Sequence, residues 1–203
     1  MILEDIKGIG KAKKELLNSL NIFTIDDLLF NKPRTYEDRK QFISLQKAVN
    51  RKDGKSSLVY AKIKKHTYLR GRNKKILKII ISDETLNAAL ICFNRTYMEK
   101  SYPVGEDIIV FGKFEFRFDE VQSTNFEIIK NADLNDSFEF GKIVPIYSLT
   151  EGLHQKFMRK ITYYALSNLL KDKKEILPSG IINKRKLLKL NDALWKIHFF
   201  FFF

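Results

Sequence analysis

The sequence predicts an α+β fold that is mainly β, with a block of short strands between two helical segments. Apolar residues recur at helical spacing near both ends of the chain, whereas the middle alternates between apolar and polar residues. From about residue 57 to residue 130 the predicted order is three strands, a short helix and two more strands. That order is typical of a five-stranded oligonucleotide-binding (OB) Greek-key barrel.

The N-terminal segment is predicted to be a helical hairpin. Gly8 and Gly10 mark a turn, and residues 12–20 follow with leucines at helical spacing. Thr24 is the predicted N-cap of a second short helix, residues 25–30, which has two aspartates in its first turn. We assign residues 1–50 to this segment, which leads into the barrel.

The barrel is predicted to span residues 51–135. Val59, Ala61 and Ile63 alternate with polar residues and therefore share one face of the first strand. The five predicted strands are residues 57–70, 75–82, 86–93, 107–117 and 121–130, and the short helix is residues 95–101.

The C-terminal part is helical again. Residues 153–170 carry apolar side chains at helical spacing, Pro178 and Gly180 interrupt the pattern, and residues 181–195 resume it. We assign residues 136–198 to linker and helices, and residues 199–203 to a tail of five phenylalanines.

The charge distribution points to a polyanionic partner. The net charge is +13 and the pI is about 9.7, which suits DNA, RNA or an anionic membrane, although a lysine-rich genome would give the same balance. No acid lies between Asp53 and Asp83, and this interval covers the first predicted hairpin. Nine basic residues fall there: Lys55, Lys62, Lys64, Lys65, Arg70, Arg72, Lys74, Lys75 and Lys78.

The tip of this hairpin is the first candidate phosphate site. In OB folds the loop between the first two strands borders the nucleic-acid groove. We therefore predict that Arg70, Arg72, Lys74 and Lys75 contact phosphates, where they would release counterions. The alternative is a solvated hairpin with incidental lysines.

Two segments before the barrel are weaker candidates. Gly8, Gly10 and Lys11 resemble one hairpin of a helix-hairpin-helix element, whose backbone amides bind phosphate, but the same pattern also forms ordinary helix pairs. Asp38 and Arg39 precede the barrel, and we interpret them as a structural salt-bridge cluster.

Several other classes of protein are excluded by what the sequence lacks. The single cysteine, Cys92, allows no intramolecular disulfide, and the N-terminus has no signal-peptide pattern. No apolar stretch approaches the roughly 18–20 residues of a membrane span. The three histidines show no metal-ligand spacing. We expect a soluble, cytoplasmic monomer with no metal, no cofactor and no membrane partner.

Six stretches in this order resemble the RecG family of branched-DNA helicases. They cover almost the whole chain up to Phe199, and the second and fifth of them are the most specific. The stretches are Gly8-Ile9-Gly10; Pro33-Arg34-Thr35-Tyr36-Glu37-Asp38-Arg39; Phe93-Asn94-Arg95-Thr96-Tyr97-Met98; Gly112-Lys113; Pro145-Ile146-Tyr147-Ser148-Leu149-Thr150-Glu151-Gly152-Leu153; and Ala193-Leu194-Trp195-Lys196-Ile197-His198-Phe199.

The resemblance implies a wedge domain that splits branched DNA for recombination, repair and the remodelling of stalled forks. It implies that Phe93 and Tyr97 stack on bases at the junction, and that the partner is branched or single-stranded DNA. Arg95, between the two rings, is a further candidate for a phosphate contact. The residues alone favour a core position for Phe93, because it ends an apolar strand, and the resemblance reverses that interpretation.

The chain departs from the family pattern at its end. Members of the family continue into an ATPase motor, whereas this sequence has no G-x-x-x-x-G-K-[ST] phosphate loop, so we expect no ATP hydrolysis from it alone. ATP and magnesium would belong to the missing motor. A phenylalanine run is what a slipped run of thymidines encodes, so we expect a frameshift. Three alternatives to a DNA-binding wedge stay open: an RNA-binding or tRNA-binding OB module, an enzyme whose motor lies elsewhere, and a non-functional remnant.

Overall fold

The computed structural model describes residues 3–70, 75–170 and 174–199, apart from the side chains of Arg70 and Lys75. The chain divides into two compact units. The β-rich unit is Arg39–Lys142, and the helical unit combines Met1–Asp38 with Ile143–Phe203. These boundaries differ from the sequence-based ones at residues 50 and 135, because the segments that flank the predicted barrel pack against its sheet.

Seven α-helices and nine strands occur within the described residues. In chain order they are α1 (Lys11–Asn18), α2 (Ile25–Phe30), β1 (Thr35–Asp38), α3 (Leu45–Val49), β2 (Ser57–Arg70), β3 (Lys75–Ser82), β4 (Asn87–Cys92), α4 (Met98–Ser101), β5 (Asp107–Gly112), β6 (Glu115–Arg117), β7 (Glu120–Ser123), β8 (Phe126–Lys130), β9 (Ile143–Ile146), α5 (Gln155–Asn168), α6 (Ser179–Arg185) and α7 (Leu190–His198).

The helical unit is organised around α5. Helices α2 and α7 pack against it, and Leu28, Ile161 and Leu194 are buried, one on each of the three helices. Thr24 caps α2 as predicted, since its hydroxyl accepts the N–H of Asp27 at 3.1 Å. Strands β1 and β9, which the sequence pattern did not predict, pair with each other in antiparallel fashion in this unit.

The last turn of α7 is held by a buried histidine. Burial lowers the pKa of His198, which favours the neutral imidazole. Its Nε2–H donates to the carbonyl of Leu29 at 2.8 Å, and its Nδ1 accepts the hydroxyl of Tyr147 at 2.9 Å. These bonds connect α7 to two other segments of the unit.

Phe199 belongs to the packed part of the helical unit. Its ring is fully buried, with centroid distances of 5.4 Å to Tyr163 and 6.1 Å to Trp195. The expectation that all five terminal phenylalanines form an exposed tail is therefore wrong for Phe199. Residues 200–203, the rest of that predicted tail, lie outside the described residues.

The β-rich unit contains one seven-stranded sheet in the described part of the chain. Its strand order is β6-β7-β4-β3-β2-β5-β8, with β4 and β7 parallel and the other neighbours antiparallel. The predicted inward residues Val59, Ala61 and Ile63 are buried in its main core. A smaller cluster around Phe111 and Phe140 covers part of the opposite face.

Two predicted strands are each divided in two. The predicted strand 107–117 becomes β5 and β6, and 121–130 becomes β7 and β8. The breaks that escaped prediction lie between β5 and β6 and between β7 and β8, whereas the turn of Phe118 and Asp119 falls between the two predicted strands. A mixed α+β fold with a large sheet is confirmed.

The C-terminal helical stretch is also divided. Residues 181–195 were predicted as one continuous helical run, whereas α6 ends at Arg185 and α7 begins at Leu190. Lys186 separates them in the left-handed conformation, with φ of 51°. An α-helix cannot continue through such a residue.

Candidate nucleic-acid interface

The sheet register brings two predicted parts of the site to the same end of the sheet. Leu69 on β2 pairs with Ile76 on β3, and the next residue of β3, Leu77, pairs with Cys92 on β4. Phe93 therefore follows β4 in the row of Ile76 and Leu69. Two strand spacings of ~4.8 Å place its backbone about 10 Å from that of Leu69. Leu69 lies at the base of the hairpin formed by β2 and β3, which we call the cationic hairpin.

Phe93 and Tyr97 both present their rings to solvent. Phe93 is 52% exposed and Tyr97 is 64% exposed. The preceding Cys92 is buried in the core, so the alternation of the strand turns Phe93 to the other face. The interpretation of Phe93 as a core residue is therefore wrong. After Tyr97, the buried Met98 anchors α4 in the core.

Arg95, which lies between the two rings in sequence, packs against Phe126. Its guanidinium lies 4.3 Å from the centroid of the Phe126 ring, and Nη1 donates to the Phe126 carbonyl at 3.5 Å. One face of the guanidinium is thus covered by an aromatic ring in an ordinary cation–π arrangement. Its predicted phosphate contact has to use the remaining N–H groups.

A hydrogen bond that was not predicted connects the hairpin to α4. The Tyr68 hydroxyl near the end of β2 donates to Oε2 of Glu99 at 2.6 Å. This bond, with a smaller effect of burial, raises the pKa of Tyr68. Because Glu99 is two residues after Tyr97, the bond holds the base of the cationic hairpin beside the aromatic pair. No local sequence signal connects residues 31 positions apart.

The predicted phosphate residues of the hairpin are only partly described. The backbones of Arg70 and Lys75 pair with each other as the last rung of the β2–β3 ladder. Arg72 and Lys74 lie outside the described residues. This rung lies one residue beyond the row of Phe93.

The cationic block is less one-sided in space than in sequence. Lys62 lies 3.4 Å from Asp107 on β5, and Lys78 lies 2.5 Å from Glu120 on β7. These acids come from later strands, so the acid-free interval in the sequence does not give an acid-free surface. Lys64 and Lys65 on β2 are exposed.

Gly8, Gly10 and Lys11 belong to the helical unit rather than to the β-rich unit. Gly8 requires glycine because its φ is 103°, whereas a Cβ added to Gly10 would meet no atom within 4 Å. Gly10 is the N-cap of α1 without a side-chain capping bond. The phosphate contact of this segment stays a prediction.

Arg39 has a structural role in the β-rich unit. Its guanidinium forms a two-pronged ion pair with Glu127, with N–O distances of 3.0 and 2.9 Å. It also lies 3.9 Å from the centroid of the Phe111 ring and is almost fully buried. The salt-bridge interpretation of Arg39 is confirmed.

The described residues offer little for catalysis. Among residues 3–70, 75–170 and 174–199, no cluster of three His, Cys, Asp or Glu side chains could bind a metal ion. Cys92 is buried, and burial raises its pKa to about 11, so its thiol is protonated at neutral pH. None of the helices in these ranges is both long and apolar enough to cross a membrane.

Comparison with known proteins identifies relatives along nearly the whole chain. The family model for the RecG wedge domain matches residues 3–169. The ATP-dependent DNA helicase RecG of Thermotoga maritima is 33% identical over 197 residues, which cover 95% of this chain and 24% of that protein. RecG of Treponema pallidum is 32% identical over 196 residues, with coverages of 95% and 27%.

A solved structure is similar as well. The structure of RecG bound to a three-way DNA junction matches with a TM-score of 0.82 and 31% sequence identity. The match covers 98% of this chain and 27% of that one. The chain thus spans about a quarter of the length of the curated relatives it matches.

Proposed function

The chain belongs to the RecG wedge domain family, and from this premise we propose that it binds branched DNA without sequence preference. The protein that it resembles in structure was solved on a three-way DNA junction. The observation that carries the proposal is the exposure of Phe93 and Tyr97 at the end of the sheet where β2 and β3 form the cationic hairpin.

The energetics of strand separation fit such a pair of rings. Where DNA arms diverge, the last base pair loses its stacking neighbour, and a base-pair step is worth ~1.4 kcal/mol on average. Stacking of a base on an aromatic side chain is worth about 1–3 kcal/mol and tolerates any base. Two rings can therefore offset the loss of the first step, while cations nearby hold the backbone.

We infer that the β-rich unit is an OB barrel in which β7 and β8 act as one bent fifth strand. β7 pairs in parallel with β4, and β8, which begins three residues later, pairs with β5 at the opposite end of the strand order. A chain segment that pairs with both ends of a sheet joins them, as the fifth strand of an OB fold does. This barrel would present Phe93 and Tyr97 on its surface.

A wedge of this kind would serve a motor. We propose that the chain acts in the context of an ATP-dependent helicase of recombination, repair and stalled-fork remodelling, in which ATP and magnesium are bound by the motor and not by these residues. The family match favours DNA over the alternative of an RNA-binding or tRNA-binding module.

The decisive experiment replaces both rings, Phe93→Ala with Tyr97→Ala, and compares affinities for a three-way junction and for plain duplex. We expect junction affinity to fall by at least about 25-fold, because each ring contributes a factor of about 5 to 150, while duplex affinity changes little. Phe23→Ala is the matched control, since Phe23 is 55% exposed in the helical unit.

Two results would contradict the proposal. An equal loss of affinity on junction and duplex would mean that the rings support the fold and do not recognise the junction. Equal binding of single-stranded RNA and junction DNA by the unaltered chain would favour the RNA-binding alternative. Circular dichroism of each variant separates a loss of binding from a loss of structure.

A further inference from the structure

The hairpin formed by β6 and β7 carries two phenylalanines that the sheet does not bury. Phe116 is 67% exposed, and Phe118 at the tip is 90% exposed. Burial of apolar surface is the main favourable contribution to folding, so a phenylalanine at a tip contributes little to stability there. The ring of Phe118 is therefore available to a partner outside the folded chain.

The turn itself is unusual. Phe118 and Asp119 have φ values of 52° and 59°, so both central residues of this two-residue turn adopt the left-handed conformation. Such turns strongly favour asparagine and glycine, because a bulky side chain at positive φ is strained. Strain of this type clusters at functional sites and persists where the surrounding structure fixes it.

The surrounding structure does fix the hairpin. Gln122 Nε2 donates to the carbonyl of Arg117 at 3.0 Å, and Glu115 pairs with Arg117 at 2.6 Å. Beyond the tip, Glu120 Oε2 accepts from Lys78 Nζ at 2.5 Å. These bonds hold Phe118 on an ordered support.

The last of these bonds also connects the hairpin to the candidate interface. Lys78 on β3 pairs with Ile91 in the β3–β4 ladder, and Phe93 follows Ile91 by two residues, just after the end of β4. Glu120, two residues from Phe118, therefore reaches β3, the strand next to β4. The β6–β7 hairpin is thus bonded to the strand beside the one that Phe93 follows.

The charges of the hairpin argue against a phosphate as its ligand. From residue 113 to residue 120 there are two cations, Lys113 and Arg117, and three acids, Glu115, Asp119 and Glu120. Lys113 and Arg117 both pair with Glu115. A region of net negative charge does not attract the DNA backbone, but a flat aromatic ring can still stack on a base.

We propose that Phe118, supported by Phe116, stacks on an unpaired base of a branched DNA arm and is thus a third aromatic contact besides Phe93 and Tyr97. The proposal rests on the proposed function, since it needs DNA at the aromatic pair. The three rings come from two separate segments of the chain, so they can hold bases of more than one strand at the branch.

The test uses Phe118→Asn in the full chain with a three-way junction that has an unpaired base at the branch. Asparagine tolerates the left-handed conformation, so the hairpin keeps its shape and the urea midpoint should stay the same or rise. We expect junction affinity to fall at least about fivefold, with duplex affinity unchanged. Phe118→Tyr, which keeps the ring, should retain the affinity.

The salt dependence separates stacking from phosphate binding. Because a stacked ring releases no counterions, the slope of log affinity against log salt should be the same for Phe118→Asn and for the unaltered chain. A lower slope, unchanged junction affinity, or failure of Phe118→Tyr to retain binding would each overturn the proposal. If Phe118 instead docks a protein, the junction affinity of Phe118→Asn would be unchanged.

The double variant at Phe93 and Tyr97, measured in parallel, keeps the two hypotheses apart. If that variant loses junction preference and Phe118→Asn does not, only the third contact is wrong. If the double variant binds the junction normally, the proposed function itself fails.

Discussion

Gly112 lies at the point where β5 passes closest to the gap between β7 and β8. A Cβ built on it would be 2.9 Å from Cβ of Phe126, 3.0 Å from Oγ of Ser123 and 3.1 Å from the carbonyl oxygen of Asn125. All three atoms belong to the stretch that we infer to be the bend of the fifth strand. The absence of a side chain at one residue thus permits the close approach that the inferred barrel would need.

Replacement of this glycine should therefore destabilise the β-rich unit. We expect Gly112→Ala to lower the free energy of unfolding by about 1–3 kcal/mol, the usual cost of adding a methyl group to a filled space. Urea denaturation followed by circular dichroism measures this change.

Gly180→Ala is the matched control for this change. A Cβ at Gly180 in α6 meets no atom within 4 Å, so alanine should be neutral there or stabilise the helix by up to about 1 kcal/mol. An unchanged unfolding midpoint for Gly112→Ala would remove the support that this residue gives to the bent strand.

At the scale of elements, β2 organises the candidate interface. Its first half, Ser57 to Lys62, pairs with β5, and its second half, Lys62 to Arg70, pairs with β3. A register shift between Ile63 and Lys65 lies near the start of the second half, and such bulges increase the local bend of a strand. The second half leads into the cationic hairpin, at the end of the sheet where Phe93 follows β4.

The cationic hairpin should account for part of the salt dependence of DNA binding. When Arg70, Arg72 and Lys74 are all replaced by glutamine, the slope of log affinity against log salt on duplex should fall by up to about 0.9 for each phosphate that the variant no longer neutralises. Affinity measured at several salt concentrations gives the slope.

Lys62→Gln is the comparison variant for this experiment. Lys62 is already paired with Asp107 at 3.4 Å, so its removal should change the slope less than the removal of a cation that neutralises a phosphate. If the triple variant keeps the original slope, the hairpin does not bind phosphates.

The elements that the sequence predicted correctly are those whose signals lie within a few neighbouring residues. The ranges of β2, β3 and α2 agree with prediction because alternation, an acid-free hairpin and a threonine cap are each visible within a few residues. Strands β1 and β9 could not be predicted in the same way. Each is four residues long, and the two strands are separated in the sequence by the whole β-rich unit, residues 39–142.

The candidate site was predictable only in part for a similar reason. The resemblance to a family indicated Phe93 and Tyr97, and the charge pattern indicated the hairpin. The bonds from Tyr68 to Glu99 and from Lys78 to Glu120 join strands that are distant in sequence, so no window of residues contains both partners. Phe118 lacked a signal because a phenylalanine between two predicted strands gives no local indication that its side chain stays exposed.

At the scale of the whole molecule, the chain enters and leaves the β-rich unit at adjacent points. The N–H of Arg39 donates to the carbonyl of Lys142 at 2.9 Å, while Asp38 and Ile143 pair at the end of the β1–β9 ladder. The β-rich unit is therefore an insertion whose two ends lie side by side, which is the arrangement that tolerates excision of a domain.

The peptide 39–142 should consequently fold alone and retain the preference for branched DNA. It has 104 residues, a normal domain size, and it contains its own core, the cationic hairpin, Phe93, Tyr97 and Phe118. Urea denaturation should show one cooperative transition, and the junction-to-duplex affinity ratio should match that of the full chain. A peptide that folds but loses this ratio would show that the helical unit, with Gly8, Gly10 and Lys11, supplies essential DNA contacts. A peptide without a cooperative transition would contradict the independent folding of the β-rich unit.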